Sequence, residues 1–542
     1  MTKAVSRFSW RLVLGVAALV FPAQCLYGVS CNVVKHNLPT EADRALLAAD
    51  YTKAEGLYRA DLAAHPGNVD ATAGLVHALL REQKVQEAAD VVKTALTAAS
   101  ASAPLLTLRG EVEFRQGEPW VVEQTVLAAY KLDPCNPRTR LLFARFLRIT
   151  SRYATERQQI LLAHQIDPDD PEIRLAWIGT LPLAQRITEM EAYLSVPNGD
   201  DQETIRQLHA DMDRWKKQAG EPQRACHLVS TAAPADIPFI SLKGLSGFFG
   251  EYQTRGFGLE VGLNGTPSRL QLGAGEGGLT VYRPMAEHAG LKRLSEPAPG
   301  GPGGKPTYAA YADSVKIGNL EFQNCVVNVI DSSSPFDDGD GLIGMDAFSD
   351  YLVTLDYPMR KLQLGPLPVN PAAGTAPVPS LKTNTAQAQD SGATQAGPFD
   401  RYIAPEMKDY TQFYRVANNL ILPTALNAAK VKLFILDLGA SATNISPGVA
   451  RDVSKVHETD SEGPAGQSHK VLIADEITYN FAHMSQRVTN VFAADTSMAS
   501  KSVGMEISGS MGANTFGLLI MHIDYRDGLL KCEYIPNRGY TF

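Results

Sequence analysis

The chain is poor in cysteine and in clustered charge. Only six cysteines occur in 542 residues, none of them in a CxxC pair, so a thiolate metal site has no ligand set. Fifty Lys and Arg are scattered among 58 Asp and Glu, for a formal charge of -8. That distribution lacks the basic footprint nucleic acid requires, and it offers no polybasic membrane patch. The eleven histidines include no HExxH, and no serine sits in a GxSxG elbow, which leaves zinc-peptidase and serine-hydrolase chemistry without a carrier. The acidic run DSSSPFDDGDG, Asp331 to Gly341, does not match a calcium loop with its closing Glu. It reads instead as a mobile loop beside a cleft, and neither metal nor cofactor is expected.

What is present starts with an address. Lys3, Arg7 and Arg11 precede the apolar run LVLGVAALVF and the small residues Gly28-Val29-Ser30, the layout of an export signal over residues 1–30. Its apolar core is too short to span a bilayer, and no later segment reaches that length. The expected location is therefore periplasmic or secreted. Cleavage after Ser30 would leave Cys31 first, which keeps an N-terminal lipid anchor open beside plain export. Cys135, Cys226, Cys325 and Cys532 are free to pair in an oxidising compartment, with separately buried thiols as the equal alternative.

Residues 36–220 are rich in Ala, Leu, Glu and Arg and repeat with a period of 34. Pro66, Pro134 and Pro168 stand at multiples of that step, with Ser100 in the missing register; Ala95, Ala129 and Ala163 keep it, as do Ala54 and Ala88. This resembles tetratricopeptide repeats, with residues 203–219 as a capping helix. The resemblance implies stacked helix pairs whose concave face takes a peptide or protein partner, or else a spacer.

After a connector at 221–249 the composition turns to short alternating runs that read as β structure. GFGLEVGLNG turns at Asn264-Gly265, and KIGNLEFQNCVVNVI turns at Gly318-Asn319. Residues 367–400 are rich in Pro, Ala, Thr and Gln and read as a linker between β regions at 250–366 and 401–542.

Within the second β region, FILDLGASATNIS places Asp437 on a Gly-containing turn behind an apolar strand, followed by Leu438, Gly439, Ala440 and Ser441. SRLQLGAGEGGLTV lays over it with Gly273 where the acid stands, followed by Ala274 and Gly275. The match continues downstream: GLIGMDAF precedes LVTLDY, GSMGANTF precedes LIMHIDY, and Gly344 to Asp356 and Gly512 to Asp524 both span 12 residues. From Gly273 to Gly344 is 71 residues, and from Asp437 to Gly512 is 75. The region is a duplication with one acid missing.

An acid loop, a middle of hairpins, then two apolar residues and Gly resembles the retropepsin-like aspartic peptidase family. The resemblance implies a multidomain α + β protein, a helical-repeat solenoid followed by two mostly-β lobes, each giving one loop to a shared cleft for extended peptide. It implies Asp437 as catalytic acid, with Leu342, Ile343, Gly344, Met511 and Gly512 supporting the loops, although Ser510 breaks the apolar pattern. Catalysis in this family uses two carboxyls sharing a proton around a water. Its loop hydroxyl, which braces the two loops, is replaced here by Leu438.

The expected function is exported, aspartic-peptidase-like hydrolysis, severely reduced because one Asp is present. The alternative is a non-catalytic peptide-binding pseudoenzyme. Two arrangements would restore a second carboxyl: Glu276 swinging into the gap, or a homodimer that pairs two copies of the second lobe.

Overall fold

A computed structural model describes residues 30–220, 226–230, 235–245, 252–273, 275, 277–297, 305–334, 338–373, 381, 399–427, 431–462 and 468–536. The export signal, up to residue 29, and most of the linker lie outside the described residues.

The helical part comprises α1 (Glu41–Leu47), α2 (Tyr51–Ala64), α3 (Val69–Arg81), α4 (Val85–Ala98), α5 (Ala103–Arg115), α6 (Pro119–Leu132), α7 (Pro137–Ile149), α8 (Tyr153–Ile166), α9 (Pro171–Ile178), α10 (Leu183–Leu194) and α11 (Gln202–Gly220). Its period is written in the caps. Asn68, Ser102, Asn136 and Asp170, each 34 residues on, accept backbone N–H groups at the starts of α3, α5, α7 and α9. Each such cap is worth about 1 kcal/mol. The turns within the pairs repeat at the same step, with Ala49, Gln83, Gly117 and Ser151 all at positive φ. Ala54, Ala88, Ala129 and Ala163 are completely buried, where a larger side chain would hold neighbouring helices apart.

The array does not stay open along its inner face. The loop after α10 meets the turn after α1, where Gly199 N–H donates to the Leu47 carbonyl at 2.9 Å and the Tyr51 hydroxyl to the Gly199 carbonyl at 2.8 Å. Arg81 bridges α3 to Glu172 on α9 at 3.4 Å and to Asp200 at 3.1 Å. Arg138 and Arg145 on α7 join the same Glu172. An ion-pair network thus occupies part of the concave side that the sequence leaves free for a partner.

The first lobe contains β1 (Ala235–Leu245), β2 (Tyr252–Leu263), β3 (Thr266–Gly273), β4 (Leu279–Tyr282), β5 (Thr307–Ile317), β6 (Leu320–Ile330), β7 (Gly341–Gly344), β8 (Tyr351–Asp356) and β9 (Lys361–Pro366). The second contains β10 (Asn419–Leu426), β11 (Val431–Leu436), β12 (Asn444–Ile445), β13 (Ser468–Phe481), β14 (Met484–Ala493), β15 (Gly509–Met511), β16 (Ile520–Asp524) and β17 (Leu529–Glu533). Both expected hairpin turns form: Asn264 and Gly265 join β2 to β3, Gly318 joins β5 to β6, and all three are at positive φ. The stretch read as a connector is in part a strand, because β1 pairs with both β9 and β2.

The lobes share one sheet. β8 and β16 pair antiparallel with Leu352 opposite Asp524 and Asp356 opposite Ile520, which is a two-fold arrangement, since Leu352 and Ile520 are equivalent in the duplication, as are Asp356 and Asp524. β9 and β1 extend the sheet on one side and β17 on the other. The helices pack onto the second lobe: Val122, Val126, Leu142, Phe146 and Ile149 form one core with Tyr414, Ile421, Leu433, Val503, Met505 and Ile507.

Two disulfides join Cys31 to Cys135 and Cys226 to Cys325, while Cys532 is a buried free thiol. Separate thiols are therefore not the arrangement adopted by four of these residues. With its sulfur bonded to Cys135, Cys31 has none left for a lipid thioether in this structure. Asp338 and Asp340 of the acidic loop are tied to Arg269, by an ion pair at 2.7 Å and by its backbone N–H at 2.8 Å. That part of the loop is fastened to β3; residues 335–337 lie outside the described residues.

Candidate functional site

The two loops are delivered by equivalent strand crossings. In the first lobe β3 runs parallel to β7, with Leu272 opposite Ile343 and Gly273 opposite Gly344, and β4 pairs antiparallel on the far side of β7. In the second, β11 runs parallel to β15, with Leu436 opposite Met511, and β12 pairs antiparallel on the far side of β15. The next residue of β11's chain is Asp437, and its N–H donates to the Met511 carbonyl at 3.0 Å. Register therefore places Gly273 at the position equivalent to Asp437.

The loops also touch. Gly439 lies so close to the first lobe that an added Cβ would stand 1.8 Å from the Leu272 carbonyl oxygen, a backbone atom that cannot give way. Gly256 and Ala440 form an antiparallel bridge, and Phe257 N–H donates to the Gly439 carbonyl at 2.8 Å. Gly275 packs against Asn419, and Asn418 Nδ2 donates to its carbonyl at 3.4 Å. This face is what a homodimer through the second lobe would need, and within the chain it is already covered. Ala274 and Glu276 lie outside the described residues.

Asp437 is half-buried. Its Oδ1 accepts the Ala440 N–H at 3.1 Å. Burial pushes its carboxyl up to about 6, opposed by the Ala440 and Gly439 N–H groups. Leu438 is 1% exposed and gives its carbonyl to the Tyr357 hydroxyl at 2.8 Å. The carbonyls of Ala440 and Ser441 take the N–H groups of Ala513 and Asn514, just beyond Gly512.

Of the residues named as loop supports, Ile343 and Met511 are fully buried. Ser510 breaks the apolar pattern because it has a polar partner: Asn444 Nδ2 donates to its Oγ at 2.7 Å and Asn444 Oδ1 accepts its N–H at 3.1 Å. The equivalent pair in the first lobe is Leu342 opposite Thr280.

Sequence reasoning missed three contributors. Asp346 accepts the Gly278 N–H at 3.0 Å, and burial raises its carboxyl to about 6; laying GLIGMDAF over GSMGANTF sets it against Asn514. Gln271 Nε2 donates to the Gly439 carbonyl at 3.2 Å. Tyr357 follows Asp356 in the Asp-Tyr pair that the duplication repeats as Asp524-Tyr525, so the sequence does carry its signal. Among the described residues no cluster of His, Cys, Asp or Glu is arranged to hold a metal, and no helix is long and apolar enough to cross a membrane.

Comparison with known proteins finds matches to two separate parts of the chain. Residues 259–347 match the family model described as aspartyl protease. The match covers the heart of the first lobe, from β2 to the residues after β7, including Gly273 and Gly344. The helical part has solved structures of tetratricopeptide proteins as neighbours. One is a thermophilic tetratricopeptide protein of Thermus thermophilus, at 16% identity over 32% of this chain and 95% of that one, with a TM-score of 0.27. Pseudomonas aeruginosa pilF follows at 20% identity over 28% and 69%, TM-score 0.23. The Cut9-Hcn1 hetero-tetramer of APC/C stands at 13% identity over 33% and 35%, TM-score 0.27. No curated protein matches the chain.

Proposed function

We propose that this chain is an exported peptide-binding protein built on an aspartyl-protease-like lobe pair, with Asp437 as the one carboxyl that the described residues of the two loops bring to its cleft and peptide-bond hydrolysis severely reduced. The observation that supports this reading is the strand register, in which Gly273 holds the position equivalent to Asp437. Two carboxyls crowded together split their proton affinities, and the split supplies one acid and one base at the same pH. Asp437 alone can be either one, not both. Below about pH 6 it carries a proton and can donate to a carbonyl of an extended peptide. Above that it can polarise a water, with Gly273 rather than an acid at the equivalent position to protonate the leaving group.

Two disulfides support an oxidising destination, since such bonds persist outside the reducing cytosol. A protein partner, on this reading, meets the outer surfaces of the helical array rather than the inner side crossed by Arg81.

The test is an acid-pH assay on a diverse peptide library, with binding measured in parallel, comparing the full chain with Asp437→Asn. The expected result is saturable binding by both proteins and no cleavage that depends on Asp437. Cleavage by the parent chain that vanishes in the variant would establish the hydrolase instead.

A further inference from the structure

The acid loop lacks the hydroxyl that would lock it to its counterpart, because Leu438 stands there, yet the loop is held from the other lobe all the same. Three donors of the first lobe converge on two consecutive carbonyls of the loop. The Tyr357 hydroxyl reaches Leu438 at 2.8 Å; Gln271 Nε2 and Phe257 N–H reach Gly439 at 3.2 and 2.8 Å. Tyr357 is the most constrained of them. It is 6% exposed, and its ring is fixed by Phe239 at 5.4 Å, Phe257 at 6.0 Å and Phe516 at 5.0 Å.

The turn that carries Tyr357 is fixed as well. Asp356 Oδ1 accepts the Met359 N–H at 3.0 Å, and the Arg360 carbonyl accepts Phe239 N–H from β1 at 2.8 Å. The equivalent tyrosine of the second lobe is spent differently: the Arg415 guanidinium lies over the Tyr525 ring at 4.4 Å.

We propose that Tyr357 is a positioning residue for Asp437, a brace from the first lobe that replaces the missing loop hydroxyl and keeps the carboxyl at its half-buried place in the cleft. The proposal rests on the reading of Asp437 as the cleft's acid. Its mechanism is mechanical: a buried carbonyl that loses its donor turns toward water, and a loop that opens there admits water to the carboxyl beside it. Tyr357 itself stays neutral, because burial and then the Asp437 charge push its hydroxyl well above the usual range.

The experiment is Tyr357→Phe in the full chain, read by carbon-13 NMR of aspartate carboxyls, with the Asp437 signal assigned by its loss in Asp437→Asn. The parent should titrate near 6, and the variant should fall by about one unit toward the ordinary carboxylate value of about 4, since burial is the largest influence on the group. An unchanged titration, with only the melting temperature lowered, would overturn the proposal and leave Tyr357 as packing. Should Tyr357→Phe fail to fold, Gln271→Met removes the second side-chain donor from a partly exposed site. A smaller downward shift there supports the brace, and no shift refutes it. The titration is read whether or not any peptide is cleaved, so its failure is distinct from failure of the functional reading.

Discussion

A half-buried carboxyl, with backbone N–H groups of its own loop as compensation, ionises at a cost to the fold. For Asp437 that cost has a sign and a window. Its folded affinity for a proton is raised, to about 6, so the folded state holds the proton where the unfolded chain has released it. Below about pH 4 both states are protonated and nothing is lost. As pH rises from about 4 through about 6 stability falls, and above that the loss is complete. Asp437→Asn keeps the shape and the acceptor for the Ala440 N–H while removing the charge. It should therefore be more stable than the parent at pH 7.5, by on the order of 2 kcal/mol, and equal to it at pH 4. Urea unfolding at the two pH values measures this, and an equal gap at both would mean that burial of the charge is not the cause. Asp346 and Asp524, raised to about 6 and about 7 by burial, remain in both proteins and cancel in the comparison.

At the scale of elements, the sequence displays whatever is local and hides whatever is paired at a distance. The 34-residue period was legible because caps and turns are made by neighbours, as in Asn68 with the start of α3. The Asn264-Gly265 and Gly318-Asn319 hairpins were legible for the same reason. β1 reads as connector because one of its partners lies far along the chain, in Lys361 to Leu364, and because its pairing with neighbouring β2 slips in register between Leu242 and Lys243, which breaks the alternation that marks a strand. The brace on Leu438 is hidden likewise, with donor and acceptor 81 positions apart. The repeating turns supply a prediction of their own. Ala49 sits at φ 59°, a region that costs a residue with a Cβ about 1 kcal/mol and costs glycine nothing; Gly117 holds the equivalent place two repeats later. Ala49→Gly should thus stabilise the chain by up to about 1 kcal/mol, less whatever glycine gains in the unfolded state. A lower melting temperature for the variant would show that the entropy term wins.

For the whole molecule, the duplication explains the shape of the lobes, and the helices explain why the lobes are not equivalent. The two-fold pairing of β8 with β16 makes inside one chain the kind of interface a symmetric dimer makes between two. One half of that pseudo-dimer then carries an extra partner. Val503, Met505 and Ile507, in the segment leading to β15, pack on α6 and α7, and Glu506 N–H donates to the Arg115 carbonyl at 2.9 Å. The corresponding segment of the first lobe is tied by Asp338 and Asp340 to β3 instead. The array therefore buttresses the lobe that keeps its acid. Removing it uncovers Tyr414, Ile421, Leu433, Val503, Met505 and Ile507 together. At about 1.5–3 kcal/mol for each fully buried side chain, even partial uncovering costs on the order of 5 kcal/mol. A fragment beginning at residue 221 should accordingly melt well below the full chain and bind a hydrophobic dye, and separately produced residues 30–220 should suppress the dye signal when added back. If the fragment instead melts with the full chain and stays dark, the helices are a passenger, and the asymmetry between the lobes has to be explained without them.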